Sequence, residues 1–180
     1  MSLWAVLATG PSISQSVADT VRGRCNVVAV SNAWELAPWC NALASTDAAW
    51  WKHHPAALGL SCPKFGAMPD FRAIPGVERL PVDTSTNSGL LGIMVAVKLG
   101  ATRVLLCGFD LKDAGNHFFG AHPVGLKSTP PERMEMFKRQ FAGYRPRGIE
   151  ILNCTPGSAL TCYPFSTLET ELAICAEPVA

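Results

Sequence analysis

The run LWAVLATGPSISQSVADTVRG, residues 3–23, decides the fold. Residues 3–9 have no polar face, as a strand needs when a parallel sheet is covered on both sides. Gly10-Pro11-Ser12 ends the apolar run with a turn. Ile13, Val17 and Val21 then recur at helical spacing, and Gly23 marks the stop. A buried strand, a tight turn and a helix form the first half of a strand–helix–strand unit.

The alternation continues along the chain. NVVAVSN (26–32) is a second buried strand, AWELAPW a short helix broken at Pro38, and NALAST (41–46) a third, weaker strand. Asp47 is placed to cap a helix AAWWKHH that ends before Pro55. Between 55 and 87 the signal is poor; PKFGAMPD and GVERLPV are expected as short strands, at an edge because of their prolines. NSGLLGIMVAVKLGA (87–101) is a clear helix and TRVLLCGFD (102–110) a strong strand. PPERMEMFKRQFAGY (130–144) is an amphipathic helix with proline in its first turn, GIEILNCT (148–155) a strand, and STLETELAIC (166–175) a last short helix. The fold class is therefore α/β: one three-layer domain over residues 1–180, with a mainly parallel sheet and right-handed crossovers.

Composition narrows the function. Hydrophobic residues make up 48% of the chain and charged ones 16%, which suits a packed core rather than disorder. Fifteen basic and fourteen acidic side chains nearly cancel, and no basic block is present, which argues against nucleic-acid binding through phosphates. The apolar start is too short for a membrane span or a signal peptide. Seven cysteines, without a CxxC pair and partly inside apolar runs, are expected as reduced thiols of a cytoplasmic protein. The tryptophans Trp34, Trp39, Trp50 and Trp51 are read as core, with an oligomer interface (a homo-oligomer) as the alternative.

In a parallel sheet, ligands gather outside the carboxyl ends of the strands. The segments expected there are Thr9 to Ser12, Ser31-Asn32, Thr46-Asp47, Gly108 to Asp110 and Asn153 to Thr155. In the first, Gly10 allows close approach to the backbone, while the hydroxyls of Thr9 and Ser12 and the free N–H groups can hold an anion. It is neither GxGxxG nor a P-loop, and the plain alternative is a turn with Ser12 as helix cap. TSTNSG (84–89) is either capping by Asn87 and Ser88 or a second anion or sugar site. Asp110 either binds a ligand hydroxyl or pins the loop that follows it. That loop, GNHFFGAHP (115–123), carries His117 and His122 where a general acid or base would stand. Their spacing is no recognised metal-ligand pattern, so acid–base or hydrogen-bonding roles are favoured and no metal site is assigned. His53 and His54, near a helix end beside two tryptophans, are read as structural.

The ordered set VLATGPSIS, Ser31-Asn32, TNSGLLGIMVAVKLGATRVLLCGFDL, HFFGAH and NCTPGSAL resembles the bacterial sialyltransferases of glycosyltransferase family 42. It also resembles 6-hydroxymethylpterin diphosphokinase-like proteins and, more closely, uncharacterised phage and prophage proteins of the same type. The likeness spans most of the chain and is weakest over 55–83; its specificity lies in the order of the motifs. It implies a Rossmann-like nucleotide-binding fold. Carried over residue by residue, Thr9, Gly10, Ser12, Asn32, Ser88 and Gly89 would contact a nucleotide donor, with Asp47 and Asn87 beside them, and His122 would be the base. The chain departs from the sialyltransferases at Thr9 (asparagine there), at Asp47 (a neutral residue there), at Lys112 (tyrosine there), by a missing lid, and by one extra residue between His117 and His122. The expected function is a nucleotide- or nucleotide-sugar-binding transferase of the glycosyltransferase type, with the nucleotide as substrate and His122, His117 and Asp110 as catalytic candidates. Two alternatives stand beside it. One is a diphosphokinase-like enzyme in which Asp47 and Asp110 position Mg²⁺ and a triphosphate. The other is a non-catalytic phage or prophage accessory protein on the same fold.

Overall fold

The computed structural model describes residues 2–67, 74–82, 86–112, 117–120 and 129–174. Its strands are β1 (Leu3–Leu7), β2 (Asn26–Val30), β3 (Ala42–Ala44), β4 (Lys64–Gly66), β5 (Val77–Arg79), β6 (Arg103–Cys107) and β7 (Glu150–Asn153). The helices are α1 (Gln15–Val21), α2 (Ala48–His53), α3 (Pro55–Leu58), α4 (Ser88–Lys98), α5 (Glu132–Gly143) and α6 (Leu168–Ile174), with a 3₁₀ turn over Ser31–Glu35. Among the described residues all seven strands join one sheet in the order β5-β4-β3-β2-β1-β6-β7, and every neighbouring pair is parallel. This is the Rossmann-like α/β architecture expected from the alternating apolar runs.

Every residue of β1 is buried because β1 lies inside the sheet with both faces covered. Leu3, Ala5 and Leu7 pack on one side with α1, α2 and α6 residues such as Val21, Trp50, Trp51 and Leu172. Trp4, Val6 and Ala8 pack on the other with Leu91, Ile93 and Val95 of α4 and Phe141 of α5. Trp50 and Trp51 meet edge to face at 5.0 Å inside the first cluster, so these two tryptophans are core.

The helix starts follow local capping chemistry. Asp47 accepts from the Ala49 N–H at 2.8 Å, as its position before α2 suggested. Asn87 accepts from the Leu90 N–H at 2.9 Å at the head of α4. For α1 the cap is Ser14, whose Oγ accepts from the Val17 N–H at 3.4 Å; Ser12 is engaged elsewhere. Of the two weak strands in the poorly patterned region, β5 is the sheet edge, and its Glu78 pairs with Lys98 at 3.2 Å. Charge along such an edge discourages pairing with other chains.

Gly92 sets how closely α4 lies on the sheet. A Cβ there would stand 2.6 Å from Val30 Cγ2 and 2.9 Å from Val6 Cγ1, both on central strands. Gly92→Ala is expected to push α4 off β1 and β2 and lower stability by about 1–3 kcal/mol, despite alanine's better helix propensity. A urea titration checks this: a lower midpoint with an unchanged slope is expected.

Candidate functional site

The sheet order reverses next to β1: successive strands run outward to β5, and the chain then crosses back to place β6 on the other side of β1. The crevice of an open α/β sheet lies at such a switch, outside the carboxyl ends of the two strands. Here those ends carry Thr9, Gly10 and Ser12 after β1, and Gly108, Phe109 and Asp110 after β6.

The two ends are tied together. The Ser12 Oγ–H and backbone N–H both donate to Asp110 Oδ2, at 2.7 and 3.3 Å. The Gly10 N–H donates to the Gly108 carbonyl at 2.9 Å. There is no room for a side chain at position 10: a Cβ would fall 2.1 Å from Asp110 Oδ2 and 2.5 Å from Gly108 O. Gly108 is a glycine for two reasons, a φ of 77° and the Ala8 carbonyl 2.9 Å from where its Cβ would be. Asp110 is itself buried. Its carboxylate braces the turn after β1 instead of the loop that follows Asp110, a role that neither sequence reading of this residue gave.

His117 joins the same place. Its Nδ1 stands 3.3 Å from both the Thr9 carbonyl and the Thr9 Oγ1, its ring stacks on Phe119 at 4.9 Å, and the Phe118 N–H donates to the Thr9 carbonyl at 3.2 Å. Phe118 packs against the core on the α1 side. The start of the histidine loop thus rests on the end of β1. His122 lies outside the described residues.

A third segment holds the β6 end from below. In NCTPGSAL, after β7, the Thr155 Oγ1 accepts from the Phe109 N–H at 2.9 Å and donates to the Leu106 carbonyl at 3.2 Å. The Ser158 hydroxyl donates to the Phe109 carbonyl, and the Ala159 N–H donates to the Asp110 carbonyl at 2.8 Å. Asn153, fully buried, shapes this turn by donating to the Leu160 carbonyl at 2.9 Å and accepting from the Thr155 N–H at 3.0 Å. Sequence reasoning grouped Asn153 and Thr155 with the strand ends but assigned them no role. The signal was a run of small polar residues following a buried strand, which such a scaffold requires when it is itself buried.

The remaining candidates lie along the same carboxyl edge but are committed within the fold. Asn32 is buried; its Oδ1 accepts from Trp50 Nε1 at 2.7 Å and its Nδ2 donates to Glu35 Oε1 at 3.0 Å. His54 stacks on Trp50 at 4.5 Å, with Nδ1 2.8 Å from the Trp50 carbonyl. An N–H there leaves Nε2 as the acceptor for the second Asn32 N–H at 3.4 Å. Ser88 Oγ accepts from the Thr46 N–H at 3.0 Å and shares a hydrogen bond with Thr46 Oγ1 at 2.9 Å, joining α4 to the end of β3. Asn87 also donates to Gln140 Oε1 at 3.2 Å. A Cβ on Gly89 would meet the rings of Phe109 and Phe141 at 3.0 and 3.3 Å, so this glycine makes room for the core. Asp47 caps α2.

Backbone strain points to the same edge. Among the described residues, the non-glycine positions with positive φ are Ser31 (45°) and Leu111 (46°), which follow β2 and precede the histidine loop after β6. Strain of this kind costs ~1 kcal/mol or more and concentrates at functional sites. Among the described residues no group of three His, Cys, Asp or Glu could hold a metal ion, and no helix is long and apolar enough to cross a membrane.

The chain matches no family model, no curated protein and no solved structure. The likeness to the family 42 sialyltransferases therefore rests on the ordered motifs, and the functional reading on the geometry of the β1–β6 crevice.

Proposed function

We propose that the chain is a nucleotide- or nucleotide-sugar-binding protein of the transferase type, with its ligand across the carboxyl ends of β1 and β6. The observation that carries this reading is the meeting of Thr9, Gly10, Ser12, Asp110 and His117 at the point where the strand order reverses. Ser12 is held by Asp110, so the half-buried Thr9 hydroxyl is left to offer a neutral hydrogen bond, and Lys112, exposed two residues past Asp110, offers positive charge for an anion. In the transferase step an imidazole of the histidine loop takes the proton from an acceptor hydroxyl. The acceptor oxygen then bonds to the sugar's anomeric carbon as the bond to the nucleotide phosphate breaks and the nucleotide leaves. The resemblance assigns that base to His122, with His117 holding the loop on Thr9.

A magnesium site shared by Asp47 and Asp110 is disfavoured by the sheet order. The two follow β3 and β6, three strand spacings or about 14 Å apart, whereas one Mg²⁺ holds its oxygens at ~2.1 Å. A non-catalytic accessory role on the same fold is favoured by a different observation: Asn32, Asp47, Asn87 and Ser88 direct their side chains into internal hydrogen bonds.

Thermal unfolding against a panel of nucleotides and nucleotide sugars, with and without Mg²⁺, separates these readings. A ligand at ~100 times its Kd adds ~2.7 kcal/mol, a rise of about 5–10 °C in Tm for a chain of this size. The expected result is a selective rise, strongest for cytidine nucleotides, independent of Mg²⁺ and lost in Asp110→Asn. A rise retained in His122→Ala while glycosyl transfer disappears supports the base. A flat panel favours the accessory protein.

A further inference from the structure

Far from the crevice, at the amino ends of β3 and β4, two cysteines stand together. Cys40 precedes β3 by two residues and Cys62 precedes β4 by two, and these strands are paired neighbours in register Leu43 to Lys64. Their sulfurs are 3.7 Å apart and share a hydrogen bond. Cys40 is buried in the core on the α1 side, whereas Cys62 is half-buried and reachable from solvent. Lys64, itself buried, folds its ammonium back to donate to the Leu60 and Cys62 carbonyls, at 2.5 and 2.8 Å, placing a fixed positive charge beside the accessible thiol.

We propose that Cys62 is a peroxide-reactive thiol and Cys40 its resolving partner, together closing a reversible disulfide between the β3 and β4 ends. The Cys62 thiolate attacks one oxygen of a hydroperoxide. An S–O bond forms, the O–O bond breaks, and the released oxygen leaves as water or alcohol after taking a proton. Cys62 is then a sulfenic acid. The Cys40 sulfur attacks that sulfur, an S–S bond forms, the S–O bond breaks, and hydroxide leaves with the Cys40 proton as water. Two thiols are oxidised and the peroxide is reduced, with no other reactant.

Geometry and charge favour this order of events. The Cys40 S–H donated to the Cys62 sulfur, and next the Lys64 charge, hold the Cys62 thiol below the usual range, against its partial burial. The same hydrogen bond, followed by burial, pushes Cys40 up, so the inner thiol waits protonated. Once Cys62 is a sulfenic acid its negative charge is gone, and with it one reason for Cys40 to keep its proton. Two of the other described thiols are worse placed: burial pushes Cys107 well up and Cys154 up to about 12. Closing the bond needs the sulfurs to move from 3.7 Å to ~2.05 Å.

The test treats the full chain with a small excess of hydrogen peroxide, then maps peptides by mass. A Cys40–Cys62 cross-link that dithiothreitol reverses is expected, with a rise in Tm of roughly 5–15 °C from the closed loop. In Cys40→Ser, a dimedone adduct on Cys62 should appear that the native chain does not accumulate. On the reduced native chain, Cys62 should be alkylated at pH 7 about 10-fold faster than Cys162, with its midpoint below the ordinary ~8.5. Oxidation of other cysteines while Cys62 keeps its thiol overturns the proposal, as does the absence of an intramolecular Cys40–Cys62 link in the native chain. The alkylation and cross-linking readouts need no variant, so a poorly folded Cys40→Ser does not decide the result.

Discussion

Gly10→Ala is expected to lower stability by about 3–4 kcal/mol, above the ~1–3 usual for one added core methyl, and to abolish nucleotide binding where the variant still folds. The added carbon would stand 2.1 Å from Asp110 Oδ2, 2.5 Å from the Gly108 carbonyl and 2.9 Å from Asp110 Cγ. Ordinary contact begins near ~3.5 Å, so every relief route moves something held elsewhere. Swinging the carboxylate out gives up both Ser12 hydrogen bonds, each ~1.5–3 kcal/mol for a charged acceptor. Moving Gly108 breaks the bond between the Gly10 N–H and its carbonyl, the last rung between the two strand ends. Gly143→Ala is the control: it ends α5 with nothing within 4 Å of the new carbon, so it should be neutral or raise stability by up to ~1 kcal/mol. Paired urea titrations check both. A Gly10→Ala loss no larger than 1 kcal/mol would mean that the Ser12–Asp110 brace is not part of the folded state in solution.

The contrast between these glycines shows what the sequence carries and what it does not. Residues 3–7 are legible because a strand covered on both faces must be apolar throughout, and that pattern is local. Asp47 is legible for the same reason, since a cap needs only the next two residues. β4 and β5 are three residues each, with Lys64, Glu78 and Arg79 among them; Lys64 is buried through carbonyls that sequence pattern does not reveal. Sequence pattern points to Ser12 as the cap of α1, whereas Ser14 fills that place. The choice is made by Asp110, 98 residues away, which takes the Ser12 hydroxyl and leaves Ser14 to α1. Asn32 stood out as a polar residue after a buried strand, the position of a ligand contact. Beside Glu35, three residues on, its partners are Trp50 and His54, 18 and 22 residues on, so whether it faces a ligand or the fold depended largely on tertiary contacts. The strand-end rule groups these segments on one edge of the sheet because it depends on topology; the individual roles depend on which distant groups arrive there.

Asn153→Ala is expected to cost about 2–6 kcal/mol and, without any possible contact with a ligand, to weaken whatever binds above Asp110. The side chain is wholly buried. Its removal leaves the Leu160 carbonyl and the Thr155 N–H without their partner, each orphaned group costing ~1–3 kcal/mol. The consequence does not stop there. Thr155 carries the Phe109 N–H, and Ser158 and Ala159 carry the Phe109 and Asp110 carbonyls, so loosening this turn loosens the strand end that presents the carboxylate to Ser12. A variant that only loses stability would bind its ligand with unchanged Kd once folded at low temperature. A variant that lets Asp110 drift would bind several-fold more weakly under the same conditions. Ser158→Ala grades the effect, because it removes one anchor of Phe109 and leaves the Asn153 bonds in place; about 1–2 kcal/mol is expected. Calorimetric titration at 10 °C, beside urea titrations of the same variants, distinguishes the two outcomes. An unchanged Kd in Asn153→Ala would detach the buried turn from the crevice and leave it as core alone.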